Sequence, residues 1–505
     1  MLAAIRSAAV LGIDAYDVTV EVDATQGLPQ WTIVGLPLGA VKESRERVGS
    51  ALVNSGFALP PRRITINLAP ADVRKDGTAF DLPIALGILV ATGQLPPHAV
   101  EGRVFVGELG LDGSVRSIRG ALPIARRTAV RSGSAELVLP LANVGEAARV
   151  TTLRLAAPEN LRSLASELRS GSLSCARNGT APEPRQESLL DFADVVGQQT
   201  AKRALEVAAA GGHNLCMTGP PGAGKTMLAR RLPGILPGLS EVESLEVIAI
   251  QSVAGILPGD VPAICPRPFR APHHSISSAG LIGGGSTPRP GEVSLAHHGV
   301  LFLDEMLEFP RSVLEGLRQP MEDGRVVISR AAMSVAFPAM FTLVGATNPC
   351  QCGRLGDSTG TCSCSTTEVE RYAKRMSGPL ADRIDMHVTV GRVALTDLSA
   401  VGNEESSTEI RRRVCIARVR QNARYARMQG VACNAHAAGR WIDAYGGVTS
   451  DARCLLHRAA EGLALSARGY HRVLKVARTI ADLDESDSVA EVHVAEALRY
   501  RQARS

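Results

Sequence analysis

The chain has no uninterrupted apolar run long enough to cross a bilayer. Its longest charge-free apolar stretch, residues 82–100, is broken by Gly87, Gly93, Gln94, Pro96 and Pro97, whereas a spanning helix needs about 20 consecutive apolar residues. It also has no recognisable secretory leader, because the apolar run that follows Arg6 meets Asp14 after seven residues. These absences predict a cytoplasmic chain without a membrane partner. Lysine is scarce: six lysines stand against 49 arginines, a preference that codon usage in a GC-rich genome explains without invoking function. No internal repeat is evident. What is present describes an ordinary globular protein of 505 residues, 45% hydrophobic and 21% charged. A length of about 150 residues per domain suggests roughly three domains, and a chain this apolar offsets its ordering entropy by burial, which excludes dominant disorder. The net charge of +5 is concentrated, since residues 401–505 hold 17 Arg and Lys against 12 Asp and Glu. Ten cysteines in a chain read as cytoplasmic suggest reduced thiols or metal ligands rather than a disulfide framework.

The clearest boundary is residues 171–188, rich in Gly, Ser, Pro and polar residues and without an apolar period, which reads as a flexible linker. Residues 1–170 before it alternate as a mixed α/β domain, with strands expected at 17–22 and 63–68 and helices at 41–53 and 82–91. Residues 189–395 alternate strand and helix as in a parallel sheet covered by helices. Residues 396–505 are almost wholly helical, with five candidate helices.

Residues Gly219, Pro220, Pro221, Gly222, Ala223, Gly224, Lys225 and Thr226 fit the phosphate-loop pattern G-x-x-x-x-G-K-[ST] between an apolar strand and a helix. Glycines let backbone N–H groups turn toward phosphate oxygens, the helix N-terminus adds positive potential, Lys225 bridges the β- and γ-phosphates, and Thr226 is a ligand for Mg²⁺. About eighty residues on, the run Gly299-Val-Leu-Phe-Leu ends in Asp304 and Glu305. An apolar strand there places Asp304 at the sheet edge, next to the Mg²⁺ shell, and Glu305 where it can polarise water. A third strand, 341–347, ends at Asn348, placed to touch the γ-phosphate or that water.

By these residues the chain resembles the AAA+ ATPases, and 191–198 is similar to the family's segment beside the adenine pocket. The resemblance implies ATP and Mg²⁺ as ligands. Arg383 matches the arginine finger of the branch holding replicative helicases and magnesium-chelatase motors, which would act on a neighbour's site in a homo-hexameric ring. A salt bridge to Asp382 or Asp385 is the alternative role. Arg468, at a helix start, matches the second sensor arginine, with Arg472 competing. In the same branch a hairpin with a basic tip enters the ring channel; residues 323–337 match it, with Arg330 as the DNA contact, and residues 280–292 resemble the other pore loop. Seven arginines and no acid between 411 and 427 make a basic stripe suited either to phosphates or to a solvated or subunit-facing helix.

Cys350, Cys352, Cys362 and Cys364 could close a tetrahedral Zn²⁺ site on a segment without its own core, although their C-x-C spacing also suits free thiols. The pairs His273–His274 and His297–His298 read as loop organisers, since neighbours in a strand or helix diverge.

Over almost its full length the chain resembles the ComM/YifB family of magnesium-chelatase-like AAA+ proteins. Residues 269–275 (FRAPHHS), 290–296 (PGEVSLA) and 470–482 (YHRVLKVARTIAD) carry this resemblance. It implies a Lon-protease-like (ribosomal S5 domain 2-like) N-terminal α/β domain, an AAA+ P-loop core and a C-terminal helical lid. In the loop 74–80 Ala79 takes the place of the protease serine, so peptide hydrolysis is not expected; Arg74 and Lys75 there either contact DNA or form a solvated turn. The family further implies a hexameric translocase or helicase on single-stranded or branched DNA, driving branch migration in natural transformation beside recombination proteins. A motor that remodels a protein partner during metal insertion is the second expectation, and a Lon-like protease the third.

Overall fold

The computed structural model describes residues 2–131, 136–176, 190–257, 264–285, 287–330, 333–356, 362–376, 378–393 and 404–501, without the side chains of Arg330 and Met333. Most of the expected linker, residues 177–188, lies outside the described residues.

Strands Leu2–Leu11 and Asp14–Thr25 form a hairpin in which Leu11 faces Asp14. The turn needs Gly12, whose φ of +68° would press a Cβ against the backbone of any other residue. The second strand pairs antiparallel with Arg63–Ala69, which pairs parallel with Gln30–Val34. In Arg63–Ala69 the two-residue period puts Ile64, Ile66 and Leu68 on the buried face. Helix Asp81–Ala91 lies in the same core with all of its residues buried; a helix with no polar face must be enclosed. A Cβ on Gly87 would stand 2.5 Å from Val22 Cγ2, so glycine sets how closely helix and sheet approach. Arg47, on helix Ser44–Asn54, clamps the buried Asp81 with two bonds of 2.7 and 3.0 Å. Burial raises the Asp81 carboxyl pKa and Arg47 pulls it back. A smaller parallel sheet of Arg103–Phe105, Glu136–Val138 and Arg154–Ala156 follows.

Five parallel strands build the central sheet, in the spatial order Phe269–Arg270, Val300–Leu303, Thr342–Thr347, Leu215–Thr218, Met386–Thr389. Both faces are covered. Leu215, Met217, Val300, Phe302, Val344 and Ala346 enter one core, while Cys216, Leu301, Leu303 and Leu343 enter the other. That is why Val300–Leu303 is apolar at every position rather than at alternate ones. Strands Arg325–Arg330 and Met333–Pro338 pair as an antiparallel hairpin outside this sheet, and Gly283–Gly284 pairs with Arg289–Pro290.

After residue 404 the described chain is helical: Ser407–Tyr425, Gly439–Tyr445, Ser450–Gly462, Ala467–Leu483 and Glu491–Arg499. Ile410, Val414, Val473 and Ile480 share one core with Leu205 and Leu228 of the helices flanking the central sheet. Segment 191–194 is pinned to this region, since Ser407 N donates to Asp191 Oδ1 at 2.7 Å and Phe192 N donates to Ser407 Oγ at 2.8 Å.

Candidate active site

Strand Leu215–Thr218 lies inside the sheet, between Thr342–Thr347 and Met386–Thr389. Its chain then turns through 219–224 into helix Lys225–Ile235. Gly222 and Gly224 hold φ of +78° and +89°, and a Cβ on Gly219 would stand 2.1 Å from Val390 O. The loop therefore depends on glycine for backbone conformation at two positions and for clearance at a third.

A cleft of about 390 Å³ opens at this sheet edge, walled by 221–227 on one side and by Asp304, Glu305 and 346–348 on the other. Thr226 Oγ1 donates to Asp304 Oδ2 at 2.7 Å. A hydroxyl and a carboxylate so placed are oxygen donors of the kind that suit a hard cation such as Mg²⁺. Lys225 Nζ donates to the Gly219 and Pro220 carbonyls at 2.6 and 3.0 Å and to Asn348 Oδ1 at 3.2 Å. Burial lowers the lysine pKa, opposed by the nearby carboxylates of Asp304 and Glu305. Glu305 sits at φ +49°, and its N–H donates to Asp304 Oδ1 at 3.0 Å. The structure thus brings Lys225, Thr226, Asp304, Glu305 and Asn348 together around one cavity.

Neither Arg383 nor Arg468 lines it. Arg383 is buried, donating to Pro379 O at 2.7 Å and pairing with Glu322 Oε1 at 2.5 Å. Its acidic partner here is Glu322 rather than Asp385. Asp385 instead pairs with Arg472 at 3.2 Å and faces His213, and these contacts hold its pKa down to about 2 against burial. Arg468 is exposed in the first turn of Ala467–Leu483. Arg330 closes the strand Arg325–Arg330, and its side chain lies outside the described set.

Three sequence models match in succession: subunit ChlI of magnesium chelatase over residues 20–143, the magnesium chelatase subunit ChlI model over 191–398, and the ChlI C-terminal model over 404–501. The chain is 42% identical over 511 residues to competence protein ComM of Haemophilus influenzae, covering 99% of this chain and 97% of that one. It is 41% identical over 506 residues to YifB of Escherichia coli K12, with 99% and 97% covered. An uncharacterized protein of Mycobacterium tuberculosis is 45% identical over 497 residues, 98% of either chain. The chain belongs to the ComM/YifB family of magnesium-chelatase-like proteins.

Several contacts of this ComM/YifB chain escape a reading of its sequence. His274 Nδ1 stands 3.8 Å from Glu305 Oε2, because strand Phe269–Arg270 runs beside Val300–Leu303 and delivers the next loop to the same edge. His297 and His298 do not diverge. They lie in a turn with His298 at φ +56°, their rings are 3.9 Å apart, and both bond Glu246 Oε2, at 3.1 and 2.7 Å. His297 Nδ1 accepts the Met340 N–H at 3.0 Å, so the neutral ring carries its proton on Nε2, which leaves no lone pair there for a metal. The pair ties three elements together as a loop organiser.

The basic stripe is mostly consumed within the chain. Arg413 pairs with Glu206 and Glu405, Arg418 donates to Ala209 O, Arg420 pairs with Asp487, and Arg424 pairs with Asp482. A 19-residue helix winds its arginines all round the axis, and one side of it packs on the core. Arg411, Arg412 and Arg427 stay exposed. Lys75 is also corrected: it is fully buried, so DNA contact by its ammonium is excluded. Arg74 and Ala79 line a cavity of about 890 Å³ against Gly285 and residues 287–289. No helix among the described residues is long and apolar enough to cross a membrane.

Proposed function

We propose that this chain is an ATP-driven motor that acts as a homo-hexameric ring on single-stranded or branched DNA, promoting branch migration of recombination intermediates in the cytoplasm. The observation that carries this reading is the convergence of Lys225, Thr226, Asp304, Glu305 and Asn348 on one cleft, in a chain similar throughout to a protein named for competence. Thr226 and Asp304 would hold Mg²⁺, which when bound offsets phosphate charge. Lys225 neutralises the β- and γ-phosphates, Glu305 orients and polarises the attacking water, and Asn348 fixes the γ-phosphate. Arg383 supplies a cation in trans once Glu322 releases it, and Arg468 (with Arg472 as the alternative) senses nucleotide from the helical lid. The hairpin of Arg325–Arg330 and Met333–Pro338, with Arg330, and the 280–292 insertion grip the DNA backbone. We read the first domain as Lon-protease-like, with Ala79 where a nucleophile would stand, and the four-cysteine segment as a structural Zn²⁺ site.

ATP turnover with and without forked DNA tests the proposal. The parent is expected to hydrolyse ATP faster with DNA at low salt, Arg330→Ala to lose that stimulation, and Lys225→Ala to lose ATP binding. Turnover indifferent to DNA contradicts the DNA reading. The ChlI matches favour a second reading, a motor that remodels a protein partner during metal insertion; stimulation by a protein partner and not by DNA would select it.

A further inference from the structure

Outside the cleft, the densest cluster of nucleophilic side chains is the set of four thiols. Cys350 Sγ lies 3.3 Å from Cys352 Sγ and 3.7 Å from Cys362 Sγ, Cys352 and Cys362 are 3.6 Å apart, and all four sulfurs, Cys364 included, fall within 4.8 Å of one another. A disulfide requires about 2.05 Å, and all four are free thiols. Four thiolates bound tetrahedrally at about 2.3 Å from one zinc ion stand about 3.8 Å apart, close to this spacing.

The segment has little else to hold it. Of residues 350–356 and 362–365, only Cys350 and Gly353 are buried. Gly353 is where the cluster meets the cleft. Its N–H donates to Cys350 O at 3.0 Å, its φ is +78°, and a Cβ there would stand 2.7 and 2.9 Å from the Cδ and Cγ of Pro221. The backbone of the thiol loop is therefore pressed directly on the ring of a phosphate-loop residue. On the other side, Asn348 lies two residues before Cys350 and accepts from Lys225 Nζ at 3.2 Å. One knot touches both walls of the cleft.

We propose that Cys350, Cys352, Cys362 and Cys364 hold one Zn²⁺ whose knot braces the phosphate loop, so that zinc and nucleoside triphosphate bind this chain cooperatively. The coupling rests on the nucleotide reading above; the metal site stands on the thiols alone. Binding free energies are reciprocal, so zinc should tighten nucleotide binding and nucleotide should tighten zinc binding by the same factor.

The test uses the full chain, metal analysis and a fluorescent ATP analogue. The purified parent is expected to carry one zinc per chain, and Cys362→Ser with Cys364→Ser to carry none. Chelator-stripped protein should bind the analogue about tenfold more weakly and regain affinity with added Zn²⁺, while saturating ATP should tighten zinc binding by the parent. Gly353→Ala, which leaves every thiol in place, should keep its zinc and still lose nucleotide affinity. A metal-free parent overturns the site. Equal affinity in the parent, the stripped protein and Gly353→Ala overturns the brace. A parent that holds zinc yet binds no nucleotide contradicts the nucleotide reading instead, and leaves the metal site standing.

Discussion

Asp304 and Glu305 are sequence neighbours that the backbone uses differently. Asp304 ends the strand segment and is fixed from two sides, by the Thr226 hydroxyl and by the Glu305 N–H. Glu305 lies in the left-handed region at φ +49°, which costs a non-glycine residue about 1–2 kcal/mol and turns its side chain into the cleft mouth, more than half exposed at 55%. A carboxylate held this way suits proton and water chemistry rather than folding. Glu305→Gln is therefore expected to bind ATP like the parent while kcat falls about 100-fold or more, as single-turnover assays and a binding titration would show together. At this scale the phosphate loop, Asp304 and Asn348 were legible, because each is written in a contiguous run with a strand before it. His274 beside Glu305 and Glu322 beside Arg383 were not, because sheet order and the packing of a distant helix end bring them there.

Elements are joined by buried polar groups as much as by apolar packing. Asp482, fully buried in Ala467–Leu483, accepts from Arg424 Nη1 and from Asn434 Nδ2 and bonds Arg478 at 2.9 Å. Removing it takes the carboxylate from the buried Arg478 and the half-buried Arg424, so Asp482→Ala should lower stability by about 3–5 kcal/mol, measured by denaturant unfolding. The Glu246 junction responds to acid. Hydrogen bonds from His297 and His298, the former the larger effect, hold its carboxyl down to about 2. A carboxyl whose pKa is lower folded than unfolded contributes stability above its unfolded value, and loses it as pH falls toward the folded one. The parent should lose stability between about pH 4.5 and 2, and Glu246→Gln should flatten that part of the acid limb in a stability–pH series. Strand and helix periods were readable here: 17–22 lies within Asp14–Thr25, and 82–91 within Asp81–Ala91. The arginine stripe left its role open because charge counted along a helix ignores which side packs; Arg413, Arg418, Arg420 and Arg424 face acids or carbonyls of the same chain.

At the scale of the whole molecule, the proposed ring makes the cleft half of a site. Lys225, Thr226, Asp304, Glu305 and Asn348 line it, and among the described residues no arginine does, although a dissociative phosphoryl transfer gains most from an added cation. Arg383 is held by Glu322 at the end of helix Arg318–Asp323, next to the hairpin strand Arg325–Arg330, so Arg383 and the hairpin share one support. Two inactive variants, Arg383→Ala and Glu305→Gln, test this most directly when mixed. A ring built from both contains interfaces where an intact Glu305 meets an intact Arg383. The account predicts that ATP turnover, negligible for each variant alone, reappears when the two are combined in equal amounts. Failure to recover activity in co-assembled mixtures, or full turnover by Arg383→Ala alone, would contradict it.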